Sequence, residues 1–479
     1  MSLDVLLILL GVFLLLTLVI SFLPWNRKVS NFEQHAIGYK QFSTATIVAS
    51  IVATHCTGPL LKLSILHAPM GVWYIAYRIS ITLFPLLLIS WLSGYMKGFM
   101  SNISMPETMA SSYGSYGRLI TSLFEIANAI IIISLQIHVI SNTVSRFMPS
   151  ASPLVITILI TVIILVYAMY GGERAIALTD VWQCVVFATL IILLAWLVFK
   201  KIDKPIIEII HFLKSKNQFE LHNLIPLNSK IKSILRYLSF SFGAISPYLI
   251  HNVYISSSPN QARKAFLYAG IFCTAIVTCM LTIGLFIFIW FPDIKNKYIW
   301  DYFLSHSSPI LGGMVCFIII SCAMSTVDSR LHVLSIIVGY EILRRIPLLK
   351  RFVQYYQLLV IRIALFALAL LTLVLAFNCS MSMLMRILVW YGRFYVPIIM
   401  APFILLVLGF RTTYHVFLVG IFTGLLSVFA WHRWIFPIIH TDSSHFPCML
   451  MNGLSMILAH YLPTKLKKIK KYFRAIHSI

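Results

Sequence analysis

Apolar stretches long enough to cross roughly 30 Å of hydrocarbon recur along the whole chain, about thirteen of them at 1.5 Å of helical rise per residue. They begin near Leu3, Ser43, Gly71, Arg118, Ser152, Ala175, Ile234, Ala265, Ile310, Gln357, Leu384, Tyr414 and Phe446. A single soluble core cannot absorb this much apolar surface. A helical bundle in lipid can, because lipid tails solvate apolar side chains and only backbone groups need internal partners. Of 479 residues, 60% are hydrophobic and 11% charged, where soluble domains carry about 25% charged residues. The chain therefore reads as an all-α polytopic membrane protein, and an ordinary cytosolic enzyme is excluded.

Lys and Arg number 37 against 14 Asp and Glu, a formal charge of +23. In a soluble protein that balance would suggest nucleic acid. Here the basic residues sit mostly in loops and at helix ends, where membrane orientation explains them and no nucleic-acid partner is expected. Asp4 precedes the first apolar run and Arg27 and Lys28 follow it, the reverse of a signal peptide. The N-terminus is expected outside and the C-terminal tail, Lys465 to Arg474, in the cytoplasm of a bacterial inner (cell) membrane. The loop from Lys200 to Arg236 is basic yet falls outside, and its IIEIIHFL stretch suits an amphipathic surface helix. The eight cysteines mostly lie in apolar runs without metal-ligand spacing, so neither a disulfide framework nor a zinc site is expected.

Two apolar segments are interrupted well inside their length. One break is Ala53-Thr54-His55-Cys56-Thr57-Gly58-Pro59, the other Gly243-Ala244-Ile245-Ser246-Pro247-Tyr248. Five segments apart, they cross the membrane in opposite directions. Either alone is a kink of the sort membrane helices tolerate. The matched pair instead points to inverted repeats, whose unwound backbone forms a midplane site in many secondary transporters.

The run Gly171-Gly172-Glu173-Arg174-Ala175-Ile176-Ala177-Leu178-Thr179-Asp180-Val181-Trp182-Gln183 resembles the GGxxAVxxTDxxQ signature of the sodium:solute symporter family, which includes proline, pantothenate and sugar symporters. Ser321-Cys322-Ala323-Met324-Ser325-Thr326-Val327-Asp328-Ser329 looks like that family's AAxxSTxDS stretch, and Ser104-Met105-Pro106-Glu107 is similar to its cytoplasmic loop motif. Ser246-Pro247-Tyr248 followed by Ser258-Pro259-Asn260-Gln261 matches its segment-seven pattern in outline. The resemblance spans nearly the whole chain. It implies about thirteen helices around a leucine-transporter-type 5+5 inverted-repeat core. The corresponding division is an N-terminal helix and loop at 1–42, a first repeat at 43–199, a basic extracellular loop at 200–233, a second repeat at 234–413, and two C-terminal helices with a basic tail at 414–479. His55 stands where the proline-transporter branch has an acid, and the glycine-rich stretch of segment eleven is reduced to Trp390-Tyr391-Gly392-Arg393-Phe394-Tyr395-Val396-Pro397.

By that resemblance the cation ligands are the carbonyls of Ala53, Cys56 and Cys322 and the hydroxyls of Ser325 and Thr326. Hard cations choose oxygen, and residues three and four apart share a helix face. The bland alternative is that these hydroxyls bond to their own backbone. Asp180 is placed at the cytoplasmic mouth, admitting the cation or capping a helix. Asp328 lies deep in its segment, where a charge faces protein or water, or else is purely structural and paired with Arg330 or another basic group, and Glu125 has the same two readings. His55, Thr57, Gly58, Ser246, Tyr248, Trp390 and Arg393 are the candidates for substrate binding or gating, with Tyr391 beside them. Lys62, Arg78 and Arg393 bring positive charge to the same helices, by function or by snorkelling.

The resulting expectation is a secondary transporter without a catalytic step, working by alternating access. It would couple import of a small organic solute, anionic or zwitterionic, to sodium, with a proton as the alternative, and need no cofactor. The rivals are a membrane-embedded acyltransferase using His55 or His138, and a non-transporting sensor on the same scaffold.

Overall fold

The computed structural model describes residues 3–23, 31–202, 205–220, 230–243, 245–292, 294–295, 298–439 and 443–476, with side chains except at 3–4, 230–231 and 463–476. Asp4, Arg27, Lys28, Asp203, Lys204, Ala244 and the tail basic residues lie outside the described residues or side chains. Among the described residues the secondary structure is helical throughout.

The chain runs α1 (Leu3–Phe22), short α2 (Phe32–Ile37), α3 (Thr44–His55), α4 (Gly58–His67), α5 (Val72–Ser93), α6 (Met105–Phe147) and α7 (Pro153–Ile202). After the surface helix α8 (Ile206–Lys214) come α9 (Lys230–Gly243), α10 (Pro247–Tyr254), α11 (Pro259–Trp290), α12 (Ile299–His306) and α13 (Pro309–Ile336). The last third holds α14 (Lys350–Tyr355), α15 (Gln357–Asn378), α16 (Met381–Tyr395), α17 (Ala401–Val407), α18 (Tyr414–Ala430), α19 (Phe436–Ile439) and α20 (His445–Ile476).

Nine helical stretches among the described residues are long and apolar enough to cross a membrane, or ten when the bent pair α3 and α4 is one span. The sequence reading of about thirteen crossings differs for a physical reason. It divides α7, one 50-residue helix kinked at Gly172, into two crossings, and it counts the α9–α10 pair and α20. The arms of α7, 153–171 and 173–202, are each of membrane-spanning length.

Capping residues set where the helices begin. Ser104 accepts from the Glu107 N–H while Glu107 accepts from the N–H of Ile103, the residue before the cap, a variant of the capping box that starts α6 well before Arg118. Ser258 and Gln261 do the same for α11. At Gly172 the backbone turns left-handed (φ 56°), and a Cβ there would lie 2.7 Å from the His35 carbonyl oxygen. The missing side chain is what lets α2 lie against the α7 kink.

At the centre stands α13, whose apolar span is 83% buried against 33–56% for the other spans. It packs on α6 and α7, and α3 packs on α7, α11 and α13. The outward faces carry Leu15, Ile192, Phe272, Phe366 and Phe429, all well exposed. Such a girdle of large apolar side chains is what lipid requires of a polytopic integral membrane protein.

Candidate functional site

Both breaks form where the sequence places Gly and Pro. In the first, α3 ends at His55 and α4 begins at Gly58, with their axes 65° apart. The Thr57 N–H turns back to the His55 carbonyl at 3.0 Å, so it does not continue the ladder to Ala53. Thr57 then caps α4, its hydroxyl accepting from the Leu60 N–H. In the second, α9 stops at Gly243, Ser246 is extended (φ −123°, ψ 154°), and Pro247 opens α10. Thr54, His55 and Thr57 from one break and Gly243, Ser246 and Tyr248 from the other line a common cavity of about 590 Å³.

Beside the first break lies a buried carboxylate. Asp180, fully buried in the second arm of α7, accepts from Ser50 of α3 (Oδ2, 2.6 Å) and from Ser325 of α13 (Oδ1, 2.5 Å). Ser329, one turn further along α13, adds a third hydroxyl at 3.3 Å. This corrects the expectation of a residue at a cytoplasmic mouth: eight positions past the Gly172 kink, Asp180 is carried into the bundle and joins three helices. Thr326, in contrast, donates to its own Cys322 carbonyl at 2.9 Å. Ala53, Cys56 and Cys322 are all fully buried, as are Ser325 and Thr326.

Asp328 does not pair with Arg330. Two residues apart on a helix, the side chains point to different sides. Asp328 instead accepts from the Tyr167 hydroxyl (2.5 Å) and the Ser329 N–H (2.6 Å), while Arg330 turns into the cavity. Its guanidinium lies 3.3 Å from the centre of the Tyr248 ring and donates to Asn128 Oδ1 at 3.2 Å. Beyond these groups, Glu173 Oε2 sits 3.3 Å from Nε2 of both His251 and His332, and the His332 ring lies 5.0 Å from that of His35.

Three candidate substrate residues lie off the cavity lining. Trp390 is 53% exposed and packs on Phe394 and His432, and Arg393 lies over the Trp390 ring; neither lines the cavity. On α16 a step of about 100° per residue puts 390 and 393 on one face and 391, 392 and 395 on another, so Tyr391, Gly392 and Tyr395 join Met385, Leu388 and Val389 of the same helix in lining the cavity. Gly58 is buried against Ile319 and does not line the cavity either, since a helix's first residue with no side chain reaches nothing. Lys62 is exposed, and Arg78 is buried just behind the cavity wall, with its guanidinium on the carbonyl of the lining residue Leu60. His138, of the acyltransferase alternative, bonds the Ala376 carbonyl and likewise lies outside the cavity. Sequence reasoning missed Ser50, Ser329, Asn128, Tyr395 and the role of Arg330. The signals available were Ser329 four residues after Ser325 and an arginine inside an apolar run.

No family model matches the chain, and no curated protein matches it by sequence. Solved structures do match. A sodium-coupled sialic acid symporter, substrate-bound and outward-open and reported to hold a novel sodium site, superposes with a TM-score of 0.74 at 16% identity, over 95% of this chain and 96% of its own. Mhp1, a nucleobase-cation-symport-1 family transporter closed around bromovinylhydantoin, gives 0.58 at 12% identity, over 88% and 93%. MhsT in complex with L-phenylalanine gives 0.51 at 12% identity, over 87% and 98%. At these identities the likeness is one of fold: the chain has the all-helical, leucine-transporter-type architecture of these transporters.

Proposed function

We propose that this protein is a secondary active transporter that imports a small organic solute by alternating access, driven by sodium. The observation that carries the reading is the pair of broken helices facing one cavity, with the buried Asp180 carboxylate and its three serine hydroxyls beside the first break. Unwound backbone and convergent hydroxyls supply the neutral oxygen ligands that a hard cation takes, and the Asp180 carboxylate balances its charge, with Asp328 on the other side of Ser329. The three structural neighbours, each a transporter with its own organic substrate or ligand, support the same reading.

On this proposal sodium is cargo, met by the carbonyls of Ala53, Cys56 and Cys322 and by Ser325, Thr326 and Asp180, with Ser50 and Ser329 completing the shell. Ser325 is common to the carbonyl set and the carboxylate set, so its hydroxyl can turn from Asp180 toward an ion. The two five-helix repeats take the bounds 43–199 and 234–413, and the N-terminus faces outside a bacterial inner membrane. His55, Thr57, Ser246 and Tyr248 meet the solute.

A sodium concentration jump on proteoliposomes adsorbed to a solid-supported membrane tests this without knowledge of the solute. Sodium should give a transient charge movement that potassium does not, and Asp180→Asn should abolish it. Identical traces for the two ions would end the sodium reading.

A further inference from the structure

Resting on the transporter reading, we infer that the solute is an organic anion with a sizeable apolar body, and that Arg330 is the residue that binds its negative group. Arg330 is 5% exposed and lies on the most buried span of the bundle. No Asp or Glu lines the cavity it faces, and no carboxylate forms an ion pair with it among the described residues. Its Nε has no hydrogen-bond partner. The Tyr248 ring and the Asn128 amide hold the guanidinium in place, but neither carries a compensating charge.

An unbalanced guanidinium inside a membrane protein is costly, and such groups face a cavity and serve a pathway. Its planar fork also matches a carboxylate, which it grips through two parallel bonds where lysine would offer a point charge. Tyr395 and His55 line the same cavity, and the Tyr395 hydroxyl and His55 Nε2 are buried without partners, so both are open to polar contact with a solute. Exposed Arg236 on α9 puts a second positive charge on the lining, where it would draw anions inward.

Much of the remaining wall is apolar, with Leu60, Ile81, Ile132, Met385, Leu388 and Val389 forming a surface suited to a ring or chain, while Thr57, Ser246 and Tyr391 are among its polar members. A volume of about 590 Å³ lies within the range of about 300–1,000 Å³ usual for sites of small-molecule size. A buried, uncompensated arginine set in a largely apolar wall selects an amphipathic carboxylate over its neutral amide, because the amide leaves the arginine uncompensated.

The test is thermal stabilisation of the purified full-length chain in detergent with sodium present. The probes are phenylacetate, indole-3-acetate and octanoate, each against its primary amide. At least one acid should raise Tm where its amide does not. Arg330→Met should lose that response at least tenfold in the concentration needed, Arg330→Lys should keep part of it, and Lys62→Met and Arg393→Met should keep all of it. Ligand-free Arg330→Met should melt no lower than Lys62→Met, since it removes an unbalanced buried charge. A lower melt would mark a structural arginine and overturn the inference, as would equal response to acid and amide, an unchanged response in Arg330→Met, or no response to any acid. The stabilisation by sodium alone, read in the same samples, reports separately on the transporter reading: if it persists in Arg330→Met while the acids fail, the anion site falls and sodium coupling stands.

Discussion

The Ser50 hydroxyl donates to Oδ2 of Asp180 at 2.6 Å, tying the last turns of α3 to the second arm of α7 across 130 residues of sequence. Both groups are buried, so the contact is shielded from water. Asp180→Asn keeps the shape and removes the charge that a cation would balance. We expect it to eliminate sodium stabilisation of the purified protein, and Ser50→Ala to raise the half-saturating sodium about tenfold, the worth of one hydrogen bond to a charged group. A sodium titration followed by melting temperature reads both; an Asp180→Asn protein that still responds as the parent does would remove Asp180 from the site.

Ser325 and Thr326 are neighbours with different partners, one on a carboxylate and the other on its own helix. Ser325→Ala should therefore raise the sodium requirement at least about threefold more than Thr326→Ala, because charge-assisted bonds are roughly twice as strong as neutral ones. Sodium-jump currents at graded concentrations separate the two variants. A larger effect from Thr326→Ala would favour the carbonyl set at the helix break over the Asp180 set.

How much of this was legible in the sequence varied with the kind of evidence each feature needs. The breaks were legible because Gly and Pro interrupt apolar runs locally, while the motif that singles out Ser325 does not reveal its bond to Asp180. The partners of Asp180 were not, since Ser50 and Ser325 lie 130 and 145 residues away and only folding selects them. Trp390 and Arg393 went wrong on phase: the face of α16 that meets the cavity is fixed by packing, and an aromatic-rich helix offers several faces of similar composition. Arg330 went wrong on proximity. Asp328 is close to it in sequence, but the two face different sides of α13, one toward Tyr167 and the other toward Tyr248.

Gly172 permits no side chain. Left-handed backbone and a Cβ only 2.7 Å from the His35 oxygen should make Gly172→Ala cost about 1–3 kcal/mol from the conformation alone, with the clash added. Gly11 in α1 is the control, with nothing within 4 Å of its would-be Cβ. There alanine should be neutral or stabilise by up to about 1 kcal/mol. Melting curves in one detergent compare them, and similar curves for the two variants would contradict the account of the kink.

His35 gives acid sensitivity a definite address. It lies in α2, outside the spans, and burial followed by the charge of Arg362 holds its pKa down to about 4. The unfolded value is near 6.5, so the unfolded chain binds more protons between those limits. Stability present above pH about 6.5 is then lost as pH falls toward about 4, by an amount on the order of 3 kcal/mol. The groups facing it are His332, with Glu173 and His251 beyond. His35→Gln should flatten the fall in Tm between pH 7 and pH 5; parallel profiles for variant and parent would assign the acid response elsewhere.

Orientation is open to direct measurement. On the proposed orientation, N-terminus outside and basic tail in the cytoplasm, a reporter fused after Ile479 should give a cytoplasmic signal. A periplasmic signal would reverse every assignment of inner and outer faces.

Helix α13 runs unbroken from Pro309 to Ile336 between two pairs of helices that are both broken. A rod that keeps its internal hydrogen bonds moves as one body, and this one carries Ser325 and Ser329 toward Asp180 and Arg330 toward the cavity. Displacement at one end is thereby felt at the other. On the proposals made above, the bookkeeping is reciprocal: whatever factor an anion at Arg330 adds to cation affinity, the cation must add to anion affinity. Stoichiometric loading would then need no latch or signal between the sites, only the stiffness of five residues of α-helix.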